Sequence, residues 1–280
     1  MRMKKASDNV RANCPIIHNI TNYVTVNDVA NVLLACGASP IMADDKKDVE
    51  EITTICNGLN LNIGTLNERT IDSMFLAGKR AAELGHVINL DPVGAGASKI
   101  RTETAAKLIK KLDITTIRGN ISEIKAVASK LGIFKSDSAA KGVDADAVDL
   151  VTEENLDQSI ELIKEFARQT KTVTAVTGAI DIVTDGENAV VIRNGRPEMS
   201  KVTGTGCQLS SLVCAFTAAN KDDILAGAAA AVMTMGVAGE IGLEHLQEFE
   251  GNSTYRNRII DAIYNMTGDV LEERGKYEER

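Results

Sequence analysis

The chain of 280 residues has no tryptophan, only four tyrosines and five phenylalanines, four prolines and three histidines. So few rings exclude the aromatic platforms on which single-stranded nucleic acid stacks, and aromatic carbohydrate clefts with them. Basic residues are outnumbered, 31 Lys and Arg against 39 Asp and Glu, for a formal net charge of −8. No basic stripe is available to displace the counterions of a duplex, so no nucleic-acid partner is expected. The five cysteines are odd in number and form no C-x-x-C pair, which argues against a disulfide framework and a zinc ribbon. His18, His86 and His245 show no ligand spacing, and no H-E-x-x-H, G-x-S-x-G or G-x-x-x-x-G-K-[ST] occurs. The opening MRMKKASDNVRANC is polar where a secretory signal would be apolar, so a reducing, cytoplasmic setting is expected.

What is present is ordinary for a globular enzyme: 44% hydrophobic and 25% charged residues. Short apolar runs alternate with amphipathic segments, the pattern of a mostly parallel sheet with crossover helices. CPIIHNI, SPIMA, LNLNIG, HVINLDPV and ITTIRG read as strands. Between them, Val29, Val32, Leu33 and Cys36 mark a helix face stopped by Gly37; further helices are expected over VEEITTIC, Asn67–Leu84, Thr102–Leu112 and Ser122–Leu131. Residues 133–150 have no clear period and read as a loop, and Leu156, Ile160, Ile163 and Ala167 mark the next helix. TVTAVTG, DIVTDG and NAVVIRNG are three strands whose short links imply antiparallel pairing at one sheet edge. The remainder is mainly helical, and EERGKYEER is expected to fray. The uncharged stretches Val202–Asn220 and Ile224–Gly239 are rich in small residues and read as buried packing helices, so no membrane partner is expected. No linker or repeat divides the chain, and residues 1–280 read as one α/β domain.

Several local features carry chemistry. In VTGTGCQLSS, Gly204 and Gly206 precede an uncharged helix, with Thr203 and Thr205 as candidate caps. Glycines at a helix N-terminus let several N–H groups turn toward one anion; an ordinary glycine turn is the alternative. Cys207 stands in that helix's first turn, where the dipole is expected to lower a thiol pKa and make it a base or nucleophile; a buried small hydrophobe is the alternative. Arg118 ends a strand and Asn120 and Glu123 open a helix, placing a phosphate grip beside oxygen ligands for Mg²⁺; a capping pair is the alternative. Asp91 ends a strand too, where it supports a metal or organises a turn.

Taken together, HNITNYVTVNDVANVLLACGASPIMA (18–43), LNIGTL (61–66), LDPVGAGAS (90–98), TIRGNISEI (116–124), KGVDA (141–145), VTGAIDIVTDG (176–186) and VTGTGCQLSS (202–211) resemble the hydroxyethylthiazole kinase family of the ribokinase-like superfamily. The resemblance implies a three-layer α/β/α fold, a central mostly parallel sheet flanked by helices on both faces, assembled as a homotrimer. It implies transfer of phosphate from ATP, with Mg²⁺, to the hydroxyl of 4-methyl-5-(2-hydroxyethyl)thiazole in thiamine biosynthesis or salvage. By motif, Met42, Gly204 and Asn22 face the thiazole, and Arg118 and Thr177 contact ATP. Asp91, Asn120 and Glu123 match the metal and water shell. Cys207 takes the place of a catalytic Asp, with Gly204, Thr205 and Gly206 forming the anion hole. Small molecules are then the partners. DDKKDVEEI after Met42 is more heavily charged than the family pattern. A hydroxymethylpyrimidine kinase or a nucleotide-repair dehydratase of the same fold would be expected to carry Asp at position 207, and a nucleotide-binding regulator without turnover is the alternative of another class.

Overall fold

The computed structural model describes residues 2–134 and 150–280; KGVDA and most of the unperiodic stretch 133–150 lie outside them. Nine strands form one sheet: β1 (Ile16–Ile20), β2 (Ser39–Met42), β3 (Gly58–Asn62), β4 (Val87–Asp91), β5 (Thr116–Gly119), β6 (Val173–Val176), β7 (Asp181–Thr184), β8 (Ala189–Ile192) and β9 (Tyr277–Glu279). Their order is β2-β1-β3-β4-β5-β6-β7-β8-β9. The first six are parallel, joined by helical crossovers, and β6 to β9 pair antiparallel, as the short links between the later strands require.

Both sheet faces are covered, which is why the central strands lack a polar face open to water. On one face Ile17, Val87 and Ala175 pack against Val29 and Leu33 of the helix Val26–Cys36 and Leu212 and Val213 of Thr205–Ala219. On the other, Leu59, Leu90 and Ile117 meet Met74 and Ala77 of Glu68–Glu83, Leu108 of Lys99–Lys111 and Ile124 of Ile121–Leu131. This is a three-layer α/β/α architecture. The helix Ile224–Glu244 is long and apolar enough to cross a membrane, yet 83% of its apolar window is buried in the protein. It is a core helix.

The C-terminus corrects an expectation. Residues 277–279 do not fray but close the sheet as β9, antiparallel to β8. Ala189 and Arg280 exchange backbone hydrogen bonds at 2.8 Å in both directions. Glu278 accepts from Arg193 at 3.1 Å, and Arg280 reaches Asp157 at 2.9 Å. A charged edge strand also blunts pairing with other chains. At the other terminus a helix, Met3–Asn13, buries Met3, Ala6 and Val10.

A polar row crosses the middle of the sheet. Asn19, Asn60, Asn89 and Thr116 stand opposite one another on β1, β3, β4 and β5, all buried. Asn60 donates to Asn19 Oδ1 at 3.1 Å, Asn89 to Asn60 Oδ1 at 2.9 Å, and the Thr116 hydroxyl to Asn89 Oδ1 at 2.7 Å. Asn89 Nδ2 also donates to the Ser210 carbonyl at 3.1 Å, pinning the helix Thr205–Ala219 to β4. A slip by one residue in any strand would move its amide to the opposite face, so the row fixes register. Breaking it strands buried partners. Thr116→Val is expected to lower unfolding stability by about 1–2 kcal/mol, and Asn89→Leu by roughly 3 kcal/mol or more, because three groups then lose a partner. Urea unfolding checks this; losses under about 0.5 kcal/mol in both would show the row to be incidental.

Candidate active site

The chain leaves β1 for β2 on one side and returns to β3 on the other. Such a reversal opens a crevice beyond the carboxyl ends of the strands. Asn22 and Thr25 follow β1, Met42 ends β2, Asn62 ends β3, Asp91 ends β4, and Arg118 is the last residue but one of β5. Asn62, Asp91 and Arg118, each two residues along from the polar row and on the same face, form a second row, while Met42 stands level with Asn19 of the first.

Asp91 is its centre. The carboxylate is fully buried; Oδ2 accepts from Ser210 Oγ at 2.6 Å and from Asn62 Nδ2 at 3.0 Å, while Oδ1 has no hydrogen-bond partner. Arg118 Nη1 stands 3.8 Å from Oδ2. Burial pushes the Asp91 pKa up to about 7 and nearby Glu123 adds to this, against the pull of Arg118, Ser210 and Asn62. Asn62 Oδ1 in turn accepts from Asn22 Nδ2 at 3.1 Å, and the same Asn22 nitrogen donates to Cys207 Sγ at 3.1 Å. Asn22 Oδ1 accepts from the Thr25 hydroxyl at 3.1 Å.

The glycine loop closes the site from above. Gly204 occupies the N-cap of Thr205–Ala219 with φ 86°, left-handed, and a Cβ there would collide with the Thr25 side chain. Neither Thr203 nor Thr205 caps the helix: its first N–H groups have no side-chain acceptor, which leaves them for a ligand. At Gly206 a methyl group would stand 2.5 Å from Arg118 Nη1, so the missing side chain is what lets the guanidinium lie against the loop. Cys207 departs from expectation. Its pKa is raised, not lowered, because the thiol is largely buried and faces Asp91; hydrogen bonds from Asn62, Thr25 and Asn22 oppose this without prevailing. Burial and a like charge outweigh the dipole of the helix.

Beyond Arg118 lies a cavity of about 550 Å³, lined by Thr177, Gly178, Asp181, Asn194, Thr205 and Met235 among others. Arg118 Nη2 donates to the Thr177 hydroxyl at its entrance. Glu123 and Asn120 form a capping box: Glu123 Oε2 accepts the Asn120 N–H at 2.9 Å and Asn120 Oδ1 the Glu123 N–H at 2.8 Å. Glu123 Oε1 takes the Gly94 N–H at 2.8 Å. Both carboxylate oxygens are thus already engaged, and the capping alternative describes these two side chains as they stand. Among the described residues no three His, Cys, Asp or Glu side chains converge in an arrangement for a metal ion.

The structure therefore brings Asn22, Arg118, Gly204, Thr205, Gly206 and Cys207 together around Asp91, with Thr177 on the cavity side and Glu123 and Asn120 at the rim. Met42, partly buried, ends the strand beside Asn19 and packs against the same core cluster as Cys207. Sequence reasoning missed Asn62, Ser210, Thr25 and Asp181. Asparagine is unfavourable in strands, so Asn60 and Asn62 in LNLN were a usable signal.

Asp181 is buried in the cavity wall, its Oδ1 accepting from the Gly178 N–H at 2.9 Å. Burial raises its pKa to about 7, against the pull of that N–H and of Arg118. The folded state therefore holds this proton where the unfolded chain has released it, and stability falls as pH rises from about 4 to about 7. Asp181→Asn is expected to raise the melting temperature at pH 8 and to lose that advantage toward pH 4. A pH-independent difference would contradict the assignment.

The hydroxyethylthiazole kinase family model matches residues 8–269. Hydroxyethylthiazole kinase of Clostridium acetobutylicum is 55% identical over 276 residues, 99% of each chain, and that of Clostridium beijerinckii 47% identical over 96% of this chain and 94% of its own. Among solved structures, a hydroxyethylthiazole kinase protein from Pyrococcus horikoshii superposes with TM-score 0.86 at 33% identity, over 99% of this chain and 98% of its own. A ribokinase-like superfamily protein from Enterococcus faecalis, 10% identical with TM-score 0.60 over 92% of this chain and 93% of its own, shares the fold alone. With a matched family model and relatives of such identity along nearly its whole length, the chain belongs to the hydroxyethylthiazole kinase family.

Proposed function

We propose that this chain transfers the γ-phosphoryl group of ATP to the primary hydroxyl of 4-methyl-5-(2-hydroxyethyl)thiazole, a step of thiamine biosynthesis or salvage. The observation that carries the reading is the meeting of an uncapped helix N-terminus, Gly204–Cys207, with Arg118 and Asp91 between a nucleotide-sized cavity and the ends of β1 and β2. ATP enters the cavity with its phosphates toward Arg118 and Thr177. The thiazole lies on the other side, between Met42, Asn22 and Gly204, where the polarizable thioether suits a small heteroaromatic ring.

Phosphoryl transfer asks for in-line positioning and stabilisation of charge on the transferred oxygens more than for covalent chemistry. The N–H groups of Thr205, Gly206 and Cys207 supply that stabilisation from a preorganised backbone. Cys207 rests mainly as a neutral thiol, since burial and Asp91 hold its proton on. Its minor thiolate form is the base that takes the alcohol's proton and so returns to the thiol, and the Asn22 N–H donating to sulfur steadies that thiolate. Mg²⁺ fits this set in one respect: the buried, unpartnered Asp91 Oδ1 is a ready oxygen ligand. Glu123 and Asn120, engaged in their cap, would act through water. When bound, the ion neutralises triphosphate charge. The domain is read as single over 1–280, cytoplasmic, and assembled as a homotrimer; Tyr23 (78% exposed) and Val24 (59%), following Asn22, are apolar surface suited to a neighbouring subunit at the site.

Cys207 tests the reading. Cys207→Ala is expected to lower kcat by about tenfold to a hundredfold, below the full value of a general base because the thiol is mostly protonated, with KM for ATP unchanged. Cys207→Ser should match it, and Cys207→Asp should keep activity with its pH profile moved to lower pH. Steady-state kinetics across pH distinguishes these; full activity in the alanine variant would remove Cys207 from the mechanism.

A further inference from the structure

His18 belongs to none of the roles above, yet it is wholly buried and bonded through both ring nitrogens. It lies on β1 opposite Ile41 of β2, its side chain on the sheet face away from the site. Nε2 stands 2.9 Å from the Ala43 carbonyl oxygen, and Nδ1 stands 2.9 Å from Thr53 Oγ1 in the helix Val49–Ile55. A carbonyl only accepts, so Nε2 carries the proton. Burial lowers the imidazole pKa, so the ring is neutral and Nδ1 is an acceptor facing the Thr53 hydroxyl. That hydroxyl also lies 2.6 Å from the Val49 carbonyl, one proton serving two acceptors.

Ala43 is the residue after Met42 and the first beyond β2. There the chain turns into ADDKKD, whose charged side chains cannot bury themselves to hold it. The turn's other anchors are the buried Ser73, whose Oγ donates to the Asp44 carbonyl at 2.8 Å, and exposed ion pairs of Arg69 with Asp44 at 3.1 Å and of Lys46 with Asp72. An exposed pair of this kind contributes little. Of the two bonds that buried side chains make to carbonyls of this turn, the one from His18 is on the residue next to Met42.

We infer that His18 is a positioning residue for the alcohol substrate: by holding the Ala43 carbonyl it fixes the end of β2 and, through it, the placement of Met42 against the ring. The inference rests on the reading of Met42 as a ring contact. It predicts a selective effect, because the nucleotide side of the site is built on β5, β6 and the glycine loop, which His18 does not touch.

The test is a comparison of KM for the thiazole alcohol and for ATP in the full chain carrying His18→Leu, His18→Gln, Thr53→Val or Met42→Ala. His18→Leu is expected to raise the thiazole KM about tenfold while the ATP KM stays within about twofold, the scale of one lost hydrogen bond in positioning. His18→Gln, whose amide N–H can replace Nε2–H, should recover the thiazole KM to within about threefold of the parent. Thr53→Val should move it in the same direction by roughly threefold, and decides the matter if His18→Leu does not fold. A thiazole KM raised by Met42→Ala but not by the His18 and Thr53 variants overturns the inference alone. Equal rises in both KM values also overturn it, marking His18 as merely structural. If Met42→Ala leaves the thiazole KM unchanged, the ring-contact reading fails and the inference falls with it.

Discussion

Asp91 carries a carboxylate with no exposed surface, and the arrangement around it is what lets such a group exist beside an arginine in the middle of a fold. A buried charge stripped of its partners costs several kcal/mol, so its neighbours are not interchangeable decoration. Ser210 comes from the helix Thr205–Ala219, Asn62 from β3 and Arg118 from β5. Holding one oxygen of this carboxylate, Oδ2, therefore fixes the height of the glycine loop over the sheet and the reach of the guanidinium toward the cavity. The row of Asn19, Asn60, Asn89 and Thr116 just below repeats the device with neutral groups. Its Asn89 holds the same helix by a second point, the Ser210 carbonyl. Between them the two rows convert strand register into site geometry.

The same buried acid shapes the chemistry at Cys207. A thiol in the first turn of an uncharged helix sits in a favourable dipole, but desolvation and the field of Asp91 act in the opposite direction and prevail. On the proposed reading, the anion is stabilised permanently by backbone N–H groups, and the base is held mostly in its protonated form. That division suits a reaction limited by positioning and charge rather than by proton removal. Asn22, which donates to the sulfur, is tied through Asn62 to Asp91, so the thiol and the carboxylate belong to one hydrogen-bonded chain.

Much of this was legible in the residues. Apolar runs and helical spacing located the parallel strands and their crossovers, and Gly37 stops its helix in the left-handed conformation a glycine there implies. Asn22, Asp91, Arg118 and Cys207, which the resemblance names, lie close together because they stand in short motifs at or just beyond strand ends and at one helix start. What escaped depends on contacts distant in sequence. The strand Tyr277–Glu279 is three residues long and charged, with no periodicity to announce it; it forms because β8 offers an open edge. The polar composition of the N-terminal helix hides the helical spacing of Met3, Ala6 and Val10. The sign of the Cys207 shift could not be read locally, since a helix-terminus rule knows nothing of a carboxylate on β4. Asn60 and Asn62 were readable in principle, as poor strand formers at alternate positions of a buried strand.

The most direct measurement is ATP-dependent product formation by the purified chain against a panel of small alcohols: the hydroxyethylthiazole, a hydroxymethylpyrimidine and pyridoxal, with products identified by mass. A site built around Met42, Asn22 and the Gly204–Cys207 loop should convert the thiazole to its monophosphate with kcat/KM at least about a hundredfold above the other alcohols, a discrimination within reach of one well-shaped pocket. Equal turnover of all three, or preference for the pyrimidine or pyridoxal, would contradict it.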